Sequence, residues 1–247
     1  MDKETDFAPR CLCLDLEADP VDKRILKIGA LRPDSGQFLH FKGTYSLVDA
    51  LGKVDGLAVG ATFVLGHNVI RCDLNLLKAL APGLKLLDLP VVDTLALSPL
   101  AFPRNPYHHL VKDYRLLKLA VNDPLADAER SVGLLRDERD ALEREVPAVL
   151  RAYQYLLVPE GANSGLNNFF MALTKAARPE REEAVSVLRR ILHGRVCQLR
   201  LTRLLSEDIA DAALRPAIAY VLAWLRVAGE NSVMPPWVRL EYPDIAT

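Results

Sequence analysis

The chain has 247 residues and 27.4 kDa, enough for one large domain or an ordinary domain plus a smaller one. Half of its residues are apolar and 31 Lys and Arg nearly cancel 32 Asp and Glu, so a highly charged nucleic-acid-coating protein and an acidic disordered tail are excluded. No apolar run approaches the ~18 residues of a membrane span, and the start, MDKETDFAPR, lacks the apolar stretch of a secretory signal. Cys11, Cys13, Cys72 and Cys197 form no CxxC pair, which argues against a disulfide framework or a zinc site and points to a reducing, cytoplasmic compartment.

Residues 11–17, CLCLDLE, alternate strictly. Leu12, Leu14 and Leu16 take one face, and Cys11, Cys13, Asp15 and Glu17 the other. After the turn ADPVDK, the run ILKIGALR (residues 25–32) predicts a second strand. Asp34-Ser35-Gly36 is a turn signal, and QFLHFKG predicts a third strand, which makes an antiparallel meander. Residues 45–57 predict a helix. TFVL (residues 62–65) predicts a short buried strand running into Gly66-His67-Asn68. DLNLLKAL then has helical spacing and stops at Ala81-Pro82-Gly83. PVVDTLAL (residues 90–97) begins as another buried strand, and the proline-broken SPLAFPRNPYHHLVKDY predicts an ordered loop. Residues 121–143 predict a helix, with Asp123 as N-cap and Pro124 at its first position. Strands interleaved with helices argue for an α/β core.

From Pro147 onward the strand signals vanish. Leu166, Phe169, Phe170 and Leu173 follow helical spacing, as do Ala217, Tyr220, Val221, Trp224 and Leu225, which makes Trp224 a core residue. The expected organisation is an α/β domain over residues 1–143 and an all-helical domain over 144–247. The ending, MPPWVRLEYPDIAT, is extended and proline-rich and reads as the start of a linker to a further region.

The chemistry lies in a few carboxylates. Asp15 and Glu17 share a strand face, roughly 6–7 Å apart by strand rise. Two acids there are costly unless a cation sits between them; alone, they equally suit a strand emerging into solvent. Asp73 opens a helix after Gly-His-Asn, and Asp127 lies in the first turn of the helix opened by Asn122-Asp123-Pro124. Taken singly, each of these two is an acid complementing a helix dipole. Together, four carboxylates from three elements can hold two divalent cations about 3.5–4 Å apart. Oxygen ligands select Mg²⁺ or Mn²⁺ over zinc.

This set resembles the DEDD 3′→5′ exonuclease superfamily, built on a ribonuclease H-like fold. The matching residues are Asp15 and Glu17, then His67-Asn68 with Asp73, then Asp127, with Asp93-Thr94 as a recurrent structural pair. The resemblance spans roughly residues 10–140. It implies a ribonuclease H-like mixed β-sheet flanked by helices and removal of nucleotides from a single-stranded DNA or RNA end. It also implies two Mg²⁺ or Mn²⁺ ions held by Asp15, Glu17, Asp73 and Asp127, with Asp15 bridging. The run LPVVDTLALSPLAFPRNPYHHLVKDY resembles the front of long bacterial proteins that carry a RecQ-like helicase further on. That second likeness favours DNA and makes a helicase region of the same polypeptide the implied partner.

One departure matters. The histidine branch of the superfamily places His five residues before the last acid, where this chain has Asn122; the tyrosine branch places Tyr at the position of Asp123. An amide can orient a water but cannot take its proton, and losing a general base typically costs about 10²–10⁴-fold. Three outcomes follow: slow hydrolysis driven by the metals, a substitute base from His108, His109 or Lys112, or a catalytically inactive module that docks a strand end or a partner protein for a helicase.

Smaller signals accompany these. Asn68 supports the metal face by resemblance, and His67 serves either that face or the strand–helix junction. The loop carrying Arg104, Tyr107, His108, His109, Lys112, Tyr114 and Arg115 mixes phosphate contacts with stacking groups. Between Lys175 and Arg203 basic residues outnumber acidic ones, which suits either a solvated helix face or the steering of a strand. Cys11 and Cys13 read as core thiols.

Overall fold

The computed structural model of the chain describes residues 9–105, 107, 108, 110, 123–160 and 164–229. Five strands form one mixed sheet: β1 (Cys11–Ala18), β2 (Ile25–Arg32), β3 (Gln37–Phe41), β4 (Phe63–Gly66) and β5 (Val91–Asp93), in the order β3-β2-β1-β4-β5. The meander is antiparallel, and β4 and β5 continue parallel to β1. As the middle strand, β1 is covered on both sides. Leu12 and Leu14 join a core with Ala50, Leu51 and Val54 of α1 (Leu47–Leu57) and Leu74 and Leu77 of α2 (Asp73–Leu80). Cys11 and Cys13 on the opposite side are buried too. Burial pushes the Cys11 thiol up to about 12 and holds the Cys13 thiol well above its ordinary value, so both are inert core thiols.

Helix ends follow their capping residues. The Ser46 side chain accepts the Asp49 N–H and opens α1. Asp123 accepts the N–H groups of Leu125 and Ala126 and opens α4 (Pro124–Glu143). One expected boundary moves. The strand of residues 90–97 stops at Asp93, because the Asp93 carboxylate accepts the Leu95 N–H and turns the chain into α3 (Thr94–Ala101). The first part of the expected loop is therefore helical.

The chain divides into two compact units. The described residues of Met1–Leu95 and His109–Asp137 form the first, and those of Ala96–His108 and Glu138–Thr247 the second. In the second, α5 (Pro147–Leu157) packs against α6 (Gly165–Thr174), α7 (Arg181–Leu192) and α9 (Arg215–Val227), and α8 (Gln198–Ser206) against α7. The buried side of α9 is Ala217, Ile218, Ala219, Tyr220, Leu222 and Ala223, while Trp224 is half-buried rather than core. Three arginines of the basic stretch bind backbone carbonyls of this unit: Arg178 on Tyr155 and Val158, Arg181 on Leu205 and Ser206, Arg195 on Leu225. Among the described residues, no helix is long and apolar enough to cross a membrane.

Candidate metal centre

The centre forms where β1 outruns its parallel neighbour. β4 pairs with β1 only from Cys11 to Cys13, whereas β2 runs beside it from Cys13 to Ala18. Beyond Cys13 the backbone of β1 needs other hydrogen-bond partners on the β4 side. Asp73, the first residue of α2, supplies one: its Oδ1 accepts the Leu16 N–H at 2.7 Å. The acid is thereby seated against the residue that separates Asp15 from Glu17. Burial pushes the Asp73 carboxyl up to about 7; the Leu16 N–H draws it down, and the charges of Asp93 and Glu17 push it up again.

The turn that delivers α2 is fixed from both sides. A Cβ on Gly66 would lie 2.8 Å from the Leu14 carbonyl oxygen and 2.7 Å from Val69 Cβ, so only glycine lets the turn pass this close to β1. Asn68 follows with φ 61°, a conformation Asn tolerates better than most residues. Asp93 accepts the N–H groups of Asn68 at 2.7 Å and Ile70 at 3.1 Å. Burial raises its carboxyl and these donors pull it back. The Thr94 hydroxyl donates to the Gly66 carbonyl at 3.2 Å and meets His67 Nδ1 at 2.9 Å. Asn68 Nδ2 donates to Cys72 Sγ at 3.1 Å. His67 and Asn68 thus shape the turn that places Asp73, with Asp93-Thr94 as its clamp.

The fourth acid arrives on α4. Asp15, Gly29 and His40 are register partners across β1, β2 and β3 and share one sheet face. The first turn of α4 lies on that face: a Cβ on Gly29 would sit 2.2 Å from Leu125 N and 2.2 Å from the Pro124 carbonyl carbon. On one side of this contact His40 Nε2 stands 3.3 Å from Asp123 Oδ1. On the other, the Cys13 thiol donates to the Ala128 carbonyl at 3.1 Å. Asp127 is thereby buried beside β1, and Asp15, Glu17 and Asp127 offer carboxylate oxygens that all lie within 4.8 Å of one another. These three can hold a metal ion. Asp73 stays outside that group, on its hydrogen bond to Leu16.

Two cationic side chains belong to the same neighbourhood. Arg130 Nη1 lies 2.5 Å from Asp127 Oδ1, one helical turn along α4. Lys27 stands opposite Glu17 in the β1–β2 register. The sequence pattern passes over both, along with Gly29 and His40. The signal for Gly29 was a glycine inside an apolar strand, a common mark of close backbone approach.

Elsewhere, His108 is buried, with Nδ1 2.9 Å from Ser98 Oγ. Tyr107 is exposed, and Arg104 donates to the Val227 carbonyl at 3.2 Å. His109, Lys112 and Asn122 lie outside the described residues. Compared with protein-family models, curated proteins and solved structures, the chain matches none.

Proposed function

We propose that the chain is a divalent-metal-dependent 3′→5′ exonuclease of the DEDD type, acting on the end of a single-stranded nucleic acid, DNA before RNA. The observation that carries this reading is the convergence of Asp15 and Glu17 on β1 with Asp127 on α4, all within 4.8 Å. The strand order β3-β2-β1-β4-β5, antiparallel over the meander and parallel beyond it, supports a ribonuclease H-like sheet. A helical domain after it and a helicase region of the same polypeptide belong to the same proposal.

The donor set fits Mg²⁺ or Mn²⁺, two ions in this reading, because it is carboxylate oxygen throughout. Such a pair, when bound, activates a water and neutralises the departing 3′ oxygen. The family resemblance makes Asp15 the shared ligand. Asp73 adds a fourth carboxylate whose proton is released near neutral pH. Asn122 directly precedes Asp123 in the sequence, and its amide can orient a water but cannot take its proton.

Digestion of 3′-labelled single-stranded DNA and RNA with Mg²⁺ and with Mn²⁺ tests the reading, with wild type, Asp15→Ala and Asn122→His side by side. Mononucleotide release by wild type is expected, lost in Asp15→Ala and raised about 10²-fold in Asn122→His. Release that survives Asp15→Ala would sink this assignment of the site. Silence from all three, with strand binding intact, would replace the nuclease by a docking module.

A further inference from the structure

Resting on the nuclease reading, we infer that Arg130 is the phosphate-binding residue of this centre, parked on Asp127 until a divalent cation takes that carboxylate. Its guanidinium lies 2.5 Å from Oδ1 of Asp127, one of the three converging carboxylates. The two side chains are differently placed: that of Asp127 is 7% exposed and that of Arg130 43% exposed. An ordinary surface pair one turn apart on a helix has both ends in water and is worth little. Here one end is fixed inside the acid group and the other reaches solvent at its rim.

A divalent cation on Asp127 and a guanidinium on the same carboxylate repel each other, so the two compete for it. Released, the guanidinium stays tethered at the rim by an exposed side chain, next to where a terminal phosphodiester meets the acids. Its planar array of donors matches a phosphate bidentately. The substrate group it takes is a non-bridging phosphate oxygen at the nucleic-acid end. Such a contact reads no base, so it serves DNA and RNA alike.

The test uses the full chain and two readouts that need no turnover: Mn²⁺ affinity by electron paramagnetic resonance, and anisotropy of a labelled oligothymidylate titrated in Ca²⁺ at several salt concentrations. Arg130→Gln is expected to bind Mn²⁺ about threefold more tightly and the oligonucleotide about tenfold more weakly. The salt slope of binding should fall by about one. Arg130→Lys, which keeps the charge on an exposed position, should fall between wild type and Arg130→Gln in oligonucleotide affinity. Unchanged oligonucleotide affinity and slope in Arg130→Gln overturns the inference, as does weaker Mn²⁺ binding, which would make Arg130 a support for Asp127. Asp127→Asn separates the two levels. If wild type binds no Mn²⁺ that Asp127→Asn loses, the metal centre itself fails; if it does and the Arg130 variants are flat, only the role of Arg130 fails.

Discussion

Gly29→Ala is expected to unseat the start of α4, cost about 3 kcal/mol of stability and abolish Mn²⁺ binding at the proposed site. The added methyl would lie 2.2 Å from both Leu125 N and the Pro124 carbonyl carbon. These are backbone atoms, so no side-chain rotation relieves the clash. Either the helix start lifts from β2 or the sheet bends. Lifting carries Asp127 away from Asp15 and strains the thiol contact of Cys13 to Ala128 and the His40 contact to Asp123. Gly52→Ala in α1 is the matched control. A Cβ there meets nothing within 4 Å, and alanine in an exposed helical position should stabilise by about 0.5–1 kcal/mol. Urea unfolding and Mn²⁺ titration of both variants measure the difference. A Gly29→Ala protein with a wild-type midpoint and wild-type Mn²⁺ affinity would show that α4 does not depend on this contact.

The contrast between these two glycines shows what sequence can and cannot carry. Local patterns were legible: the alternation in CLCLDLE marks β1, and Asp123-Pro124 marks the start of α4. The carboxylates were legible as residue types, because acids placed on otherwise buried elements need a cation. What escaped is set by distant parts of the chain. Gly29 matters only because α4 crosses it, and Arg130 only because Asp127 is buried against β1. The end of β5 escaped for a local reason: DTLAL has no period, and the side-chain bonds of Asp93 and Thr94 decide the turn into α3. On α9 the apolar spacing ran through Ala217, Tyr220, Val221, Trp224 and Leu225, whereas the packed side also takes in Ile218, Ala219, Leu222 and Ala223. That shift leaves Trp224 half-buried.

Asp73→Asn is expected to change stability in opposite directions with and without metal. In the metal-free protein the Asp73 carboxyl sits at about 7 against an ordinary 3.8. A raised acid favours the folded state while it is protonated. Its contribution is fully present below about pH 4 and is lost as pH rises through about 7. At pH 8 the ionised, buried carboxylate therefore costs up to about 4 kcal/mol relative to the protonated form. Asparagine keeps an oxygen for the Leu16 N–H and carries no charge. In chelator, then, Asp73→Asn should be the more stable protein at pH 8, and its unfolding midpoint should be flatter than that of wild type between pH 4 and 7. In the proposed four-carboxylate site, added Mn²⁺ is expected to reverse the order, because binding to the folded state alone stabilises in proportion to affinity and the variant would lack one anionic ligand. Unfolding in urea across this pH range, with EDTA and with Mn²⁺, reads both effects. If Asp73 were only a cap for Leu16, the variant would remain the more stable protein at pH 8 with Mn²⁺ as it is in EDTA. A variant less stable than wild type in EDTA at pH 8 would contradict the burial cost assigned to this carboxylate. The two series together tell a carboxylate held for a cation from one held for a backbone bond.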